Sequence, residues 1–559
     1  MSSTLPQGLM QHDAPLDLQH AFRRLAGMHA DAGEVVTLRS ADGSVDRVGY
    51  REIAERTARL ASALDGLGIV QGDRVATFMW NSHEHMEAYL AIPCMGAVLH
   101  TLNLRLFAEQ LVYIVNHAED RVVIIDDTLI PLVAPLVDQL PTVEHWIVVG
   151  EGDASALGDG VLRYEELLAG QPGGFAWPRI EDDRQAAALC YTSGTTGNPK
   201  GVLYSHRSTL LHSLAILTAD SFGICKSDRI LPVVPMFHAN AWGLVYGAAL
   251  SGASLVMPGP FMQAGPLTTL MERERCTVAG AVPTIWMDVL RYADEHKPDL
   301  SALRVVPCGG AAVPRSLMQA FEERHGVTVC QAWGMTETSP LASVAIPPAD
   351  AVGEEHWRYR TMQGQIAPLV EVRIVADDGT EQPWDGVSSG EIQVRGQWIA
   401  SAYYRDDTSA DKFDDGWLRT GDVGAITSNG FIAITDRSKD VIKSGGEWVS
   451  SVDLENALMG HPGVREAAVI AKPDERFTER PLACVVRDSD VSAQELVDFL
   501  EGQVARWWIP DEVAFIDEVP KTSVGKFDKK ELRRRLAEDE LDDRHAVARP
   551  AAKPESSPA

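Results

Sequence analysis

The strongest constraint on the fold is an alternation. Short apolar runs recur through the first four hundred residues, with helical stretches between them. RVATFMW (74–80), VVIID (122–126), ILPVVPMF (230–237), SLVMPGP (254–260), TVAGAVPT (277–284) and RVVPCGG (304–310) read as buried strands. In YREIAERTARLASALDGLG, Ile53, Thr57, Leu60, Ala61 and Leu64 recur at i, i+4, i+7, i+8 and i+11, the period of an amphipathic helix. Strands that alternate with helices predict an α/β protein whose layers are built on mostly parallel sheets. A chain of 559 residues is too long for one core. After about residue 370 the strands crowd together as EVRIV, EIQVRG and FIAITDR, which predicts a β subdomain closing a large multi-layer N-terminal domain. A second unit then begins: SSVDLENALMGHPGV reads as a helix, EAAVIAKP and PLACVVRD as strands, and AQELVDFLEGQVARW as another helix. The expected division is a large domain over 1–437, a hinge at 438–441 within the polar DRSKD, a small α+β domain over 442–545 and a Pro/Ala/Ser-rich tail over 546–559, expected to be disordered.

Composition removes several functions. The formal charge of -29 argues against nucleic acid as a partner, because phosphate backbones need a basic footprint. The seven cysteines at 94, 190, 225, 276, 308, 330 and 484 form no C-x-x-C pair and several sit in apolar runs, so they read as reduced, buried thiols of a cytoplasmic protein. MSSTLPQGLMQHDAPLD lacks the basic start and apolar core of a signal peptide. No apolar run is long enough for a transmembrane segment.

Chemistry enters with YTSGTTGNPKGV at 191–202, dense in Gly, Ser and Thr beside a single cation. Backbone N–H groups of such a loop can converge on phosphate, with hydroxyls as further donors. It is not a Walker A loop, since Pro199 precedes Lys200 and Gly201 follows it. Alone it supports a phosphate loop and a flexible turn about equally. QAWGMTET at 331–338 follows a strand-like run and offers an aromatic face, a glycine and the Glu337 carboxylate. Magnesium commonly takes one or two carboxylates plus substrate phosphates; a core-edge Trp and a surface Glu would look the same. Asp422 in DGWLRTGDVG could accept both hydroxyls of a ribose, or merely make an Asx turn. Arg437 and the Gly445–Gly446 pair in DRSKDVIKSGGE, and Lys526 in PKTSVGKF, are each ambiguous by themselves.

Three other patterns are set aside. GVSSG at 386–390 has the spacing of a hydrolase elbow but runs from a turn into a strand, the wrong order. HEHME at 83–87 lacks the zinc pattern and reads as a solvated helix face. KKELRRRL at 529–536 reads as one face of a terminal helix.

Taken together, YTSGTTGNPKG, PMFHANAW, QAWGMTE, GWLRTGD, DRSKDVIKSGGEW and PKTSVGK resemble, in order and spacing, the core motifs of the adenylate-forming superfamily, from about residue 30 to 535. KSGGEWVSSVDLENALMGHP and PMFHANAWGLVY look most like bacterial medium- and long-chain fatty acyl-CoA synthetases. The resemblance implies ATP, magnesium and coenzyme A as cofactors and a small carboxylic acid as substrate, and it leaves room for a homodimer. It implies that Thr192, Ser193, Gly194, Thr195 and Thr196 close over the ATP phosphates with Lys200 as a charge. Glu337 and Thr192 would serve the metal, and Thr336 the α-phosphate. Gln331, Trp333, Gly334, Gly310 and Ala311 would form the adenine site, where Tyr is more usual than Trp. Asp422 and Arg437 would hold the ribose. Lys526 would be the lysine of acyl-adenylate formation, with His238 beside the thiol tunnel and Trp242 and Gly309 at the acyl gate. The small domain would be mobile, swinging about Lys439 to bring Lys443, Gly445 and Gly446 to coenzyme A. Aryl or short-acid ligases, and ligases that load a carrier protein, share this core.

Overall fold

In the computed structural model, residues 14–192, 198–437, 440, 442–444, 447–474, 476–522 and 526–548 are described. The helical period at 50–66 is realised as the helix Tyr50–Gly66, which buries Ile53, Thr57, Leu60, Ala61 and Leu64. Among the described residues the strands assemble into three sheets. A seven-stranded sheet runs in the order Leu162–Arg163, His145–Val149, Asp120–Asp126, Arg74–Phe78, Val98–Thr101, Ala186–Tyr191 and Gly201–Ser205. Its pairs are parallel except the last, where Ala186–Tyr191 and Gly201–Ser205 form the hairpin that carries the glycine-rich loop.

A fourteen-stranded sheet changes character along its length. Ser254–Met257, Arg229–Pro232, Val278–Gly280, Val305–Gly309 and Thr328–Gly334 pair in parallel. Beyond Thr328–Gly334 every pair is antiparallel, through Leu341–Val344, Gly364–Ile366, Phe431–Arg437, Trp417–Ile426, Gly390–Gly396 and Val370–Val375. That switch is the β subdomain expected after residue 370. Residues 442–546 build the third sheet, with Ser451–Met459, Ala493–Phe499 and Lys529–Ala537 as its helices. The helix expected over 493–507 stops at Phe499, and Gly502 at φ 82° breaks any continuation.

Two sequence expectations are corrected by burial. The HEHME segment opens the helix His83–Cys94, and all twelve of its residues are buried. Its acids survive there because cations meet them: Arg39 pairs with Glu84, while Glu87 accepts from Arg56 Nε at 2.7 Å and from the Tyr164 hydroxyl at 2.6 Å. Burial still pushes the Glu87 carboxyl up to about 7. The cysteines are all unpaired, but Cys225 is exposed whereas the other six are buried. Gly386–Ser388 forms an Asx turn on Asp385 and Gly390 starts a strand, as expected for the false hydrolase motif.

Candidate active site

The site forms where strands from both large sheets end. Asn81 ties the sheets together by donating to Pro232 O at 2.7 Å and Val234 O at 3.0 Å, and it accepts from Met236 N at 2.8 Å. This fixes the loop leading to His238. After His238 the backbone turns left-handed: Ala239, Asn240, Ala241 and Trp242 have φ of 42°, 49°, 50° and 56°, and Gly243 follows at 74°. Left-handed backbone costs L-residues roughly 1–2 kcal/mol each, so other contacts must hold the turn. The buried Asn240 accepts from Cys190 Sγ at 2.7 Å. Gly243 lies so close to His212 that a Cβ there would meet Nδ1 at 2.7 Å. The turn carries the Trp242 indole over the ends of two parallel strands, 3.7 Å from where a Cβ would sit on Gly309 and 3.8 Å from one on Gly280.

Glu337 is buried at the end of the strand Thr328–Gly334. Its Oε1 accepts from the Tyr403 hydroxyl at 2.6 Å, and its backbone oxygen accepts from Ala400 N at 2.8 Å. Thr336 is fixed beside it, its carbonyl accepting from the Tyr204 hydroxyl at 2.7 Å. Asp422 and Arg437 face one another across adjacent antiparallel strands, and Arg437 Nε lies 3.3 Å from Asp422 Oδ1. The other carboxylate oxygen accepts from Trp333 Nε1 at 2.8 Å. A tyrosine has no indole N–H, so this bond belongs to the tryptophan.

Lys526 enters from the C-terminal sheet unit and reaches the same centre. Its Cε is 3.1 Å from where a Cβ on Gly310 would stand. It shares an apolar cavity with Phe527, Met459, Val282, Pro283 and Ala311. Burial, reinforced by the Arg437 charge, brings the ammonium down to about 8, against the opposing pull of Asp422 and Glu337. Burial, with the nearby Lys526 and Arg105 charges, pushes His238 down to about 3, so it stands neutral at physiological pH.

Several expected ligands take other work. Gln331 is committed to backbone: Val313 N donates to it at 2.5 Å, and its amide donates to Thr361 O at 3.1 Å and Met362 O at 2.6 Å. It braces the segment after Gly310 and Ala311 rather than facing a ligand. Gly334 is small because a Cβ would fall 1.8 Å from Pro340 O, and Gly309 because one would meet Ala332 O at 2.8 Å. Lys200 is engaged within the protein. It is held by the Ser409 hydroxyl, lies 3.5 Å from the Asp406 carboxylate and 5.1 Å above the Tyr403 ring. Thr192 closes the hairpin instead, with its N–H on Lys200 O at 2.9 Å and its hydroxyl accepting from Lys200 N at 3.2 Å. Lys443 lies opposite Trp448 in the backbone register of a short hairpin. Ser193, Gly194, Thr195, Thr196, Lys439, Gly445 and Gly446 lie outside the described residues. Tyr403, Asp406 and Ser409 were not singled out from sequence. The only local signal is Asp-Asp-Thr-Ser after a Tyr pair, which builds a capped turn in which Thr408 N donates to Asp406 at 2.8 Å.

A buried carboxylate at Glu337, the Asp422–Arg437 pair and a lysine of lowered pKa meet at this centre, a set of groups suited to an enzyme that activates acids with ATP. Comparison with known proteins agrees. The AMP-binding enzyme family matches residues 22–404, and the AMP-binding enzyme C-terminal domain matches residues 453–526. The chain is 44% identical to a 3-methylmercaptopropionyl-CoA ligase of Ruegeria lacuscaerulensis over 93% of its length and 97% of that protein's. It is 42% identical to a medium-chain-fatty-acid–CoA ligase of Ectopseudomonas oleovorans over 93% of its length and 95% of that protein's. The crystal structure of the anthranilate CoA ligase AuaEII in complex with anthranoyl-AMP superposes with a TM-score of 0.85 at 26% identity, covering 95% of this chain and all of that one. The chain therefore belongs to the AMP-binding enzymes. Within them it is an AMP-forming acid–CoA ligase. Among the described residues no helix is long and apolar enough to cross a membrane.

Proposed function

We propose that the chain ligates a medium- to long-chain fatty acid to coenzyme A through an acyl-adenylate. The observation that supports this substrate is Trp242, whose indole, presented by the left-handed turn, forms an apolar wall over the ends of Val278–Gly280 and Val305–Gly309. Likeness to the medium-chain ligase points the same way. In this reading Asp422 and Arg437 take the ribose, Trp333 flanks the adenine, and Lys526 bridges the carboxylate and the α-phosphate as two anions approach. A preorganised cation at developing charge is worth roughly 2.7–4 kcal/mol of barrier. Glu337 suits magnesium: it is a buried carboxylate with one oxygen oriented by Tyr403, and its second oxygen makes no hydrogen bond among the described residues. The metal would neutralise phosphate charge there. Thioester formation would follow a rotation about Lys439 that withdraws Lys526 and brings Gly445–Gly446 to coenzyme A. Residues 438–441 would be the hinge between the two domains.

A second reading has its own support. The 44% identity to a 3-methylmercaptopropionyl-CoA ligase favours a short sulfur-containing acid on the same machinery. Pyrophosphate release with magnesium and ATP, with and without coenzyme A, separates the two. The acids would run from acetate to palmitate and include benzoate, cinnamate and 3-methylmercaptopropionate. A maximum between eight and sixteen carbons supports the fatty acid; a maximum on the sulfur acid or an aryl acid discards it and keeps the chemistry.

A further inference from the structure

We propose that Tyr403 is a positioning residue for Glu337, on a strap of residues 400–413 that ties the metal-binding carboxylate to the base of the phosphate loop. The inference rests on the ligase reading for the role of Glu337, but its geometry is independent of the acid. The strap grips Glu337 twice, through Ala400 N at 2.8 Å on its backbone oxygen and through the Tyr403 hydroxyl at 2.6 Å on Oε1. It grips the phosphate-loop hairpin three times. Tyr404 N donates to Gly201 O at 2.8 Å, Asp406 lies 3.5 Å from Lys200 Nζ, and Ser409 holds the same ammonium. Tyr403 is where the two grips meet: its hydroxyl serves the carboxylate, while Lys200 lies over its ring face. Phe413 packs on the ring at 5.5 Å, fixing its direction.

The physical argument is one of lone pairs. An ionised carboxylate can swing between equivalent orientations; a donor on one oxygen selects a single orientation and leaves the other oxygen for a cation. A phenol suits this task because it donates without adding a positive charge that would repel magnesium. Lys200, already matched by Asp406, then acts as an anchor for the loop and not as a phosphate ligand.

The test is Tyr403→Phe, which keeps the ring, the Phe413 packing and the Lys200 contact and removes only the hydroxyl. Binding of Mn2+ with ATP, followed by electron paramagnetic resonance on the full chain without acid or coenzyme A, should weaken tenfold or more, the range for loss of a group that orients a metal ligand. The effect should vanish in the Glu337→Gln background, and the thermal midpoint should stay within a few degrees. Equal Mn2+ affinity in wild type and Y403F, or an undiminished effect in E337Q, overturns the proposal. If wild type releases no pyrophosphate with any acid yet shows Tyr403-dependent Mn2+–ATP binding, the ligase reading fails and the positioning role stands.

Discussion

Lys526 and Lys529 are three residues apart and both half-buried, yet their surroundings pull them in opposite directions. Lys529 begins the helix Lys529–Ala537 and is met at once by acids. Glu455 lies 2.8 Å away and the Ser451 hydroxyl touches the same nitrogen. Desolvation disfavours its charge, but Glu455 and Asp436 outweigh that, and its pKa is raised. Lys526 has desolvation and the Arg437 charge against it, with Asp422 and Glu337 acting only electrostatically, and it falls to about 8. A structural lysine is given its counter-ion within the fold. Among the described residues the other has no such close counter-ion. The pairing of Lys529 also spans the expected hinge, because Ser451 donates through its N–H at 3.1 Å and through its hydroxyl to Asp436 on the strand Phe431–Arg437.

The sharpest way to break this contrast is to make the same change at both positions. Lys529→Met leaves Glu455 buried without its partner, and breaking a buried pair typically costs about 3–5 kcal/mol. The expected outcome is a thermal midpoint several degrees lower, largely restored in Lys529→Met/Glu455→Met. Among the described residues Lys526 has no close partner for its charge, so the midpoint of Lys526→Met should hold or rise. Two midpoints that fall equally would show that Lys526 is paired after all. The pH dependence must also differ in sign. A lysine whose folded pKa is raised contributes stability fully below its unfolded value, near 10.4, and loses it only as pH climbs through the folded value, so Lys529 gives a flat profile from pH 6 to 9. Lys526, depressed to about 8, weighs against the fold below that pH and is relieved above it.

For catalysis the difference becomes one of half-reactions. Lys526→Ala should lower acyl-adenylate formation by roughly 10²–10³-fold, the loss of one stabilising donor. Thioester formation from supplied acyl-AMP should survive within a few fold. Rapid-quench measurement of each step decides; equal loss of both removes Lys526 from its assigned step.

A smaller effect follows from protonation. Only the ammonium form can bridge two anions, so the first half-reaction, read as kcat/KM, should fall as pH rises through about 8. Arg437→Gln removes a repelling charge and frees Asp422, and both changes raise the Lys526 pKa. The falling limb should therefore move to higher pH. A limb that stays in place would assign it to another group.

Much of this was legible from sequence for a simple reason. Asp422, Arg437, Glu337 and Lys526 belong to contiguous motifs, and the parallel sheets follow from apolar runs whose period is local. What was hidden is long-range. HEHME looks solvated because its cations, Arg39 and Arg56, lie 45 and 31 positions from the acids they meet. Tyr403 is 66 positions from Glu337, and no periodicity announces it. Nor does any residue type announce the left-handed turn at 239–242, which contains no glycine until Gly243. Gln331 and Gly334 show the opposite error: they sit within a functional motif, yet serve the backbone that shapes it.

Trp333 gives the smallest effect and the finest probe of how the site prepares itself. Its N–H on Asp422 at 2.8 Å holds one carboxylate oxygen while Arg437 approaches the other. The Asp is thus oriented by the protein itself, at the loss of one acceptor position. Trp333→Phe keeps an aromatic ring and removes the donor. A net hydrogen bond of this kind is worth about 1 kcal/mol, more when one partner is charged. KM for ATP should therefore rise roughly fivefold, with kcat for adenylate formation nearly unchanged, because the bond orients a binding group and does not touch the reacting phosphorus. A fall in kcat with KM intact would mean that the indole acts on the transition state. An unchanged KM would mean that Arg437 alone suffices to hold Asp422 in place.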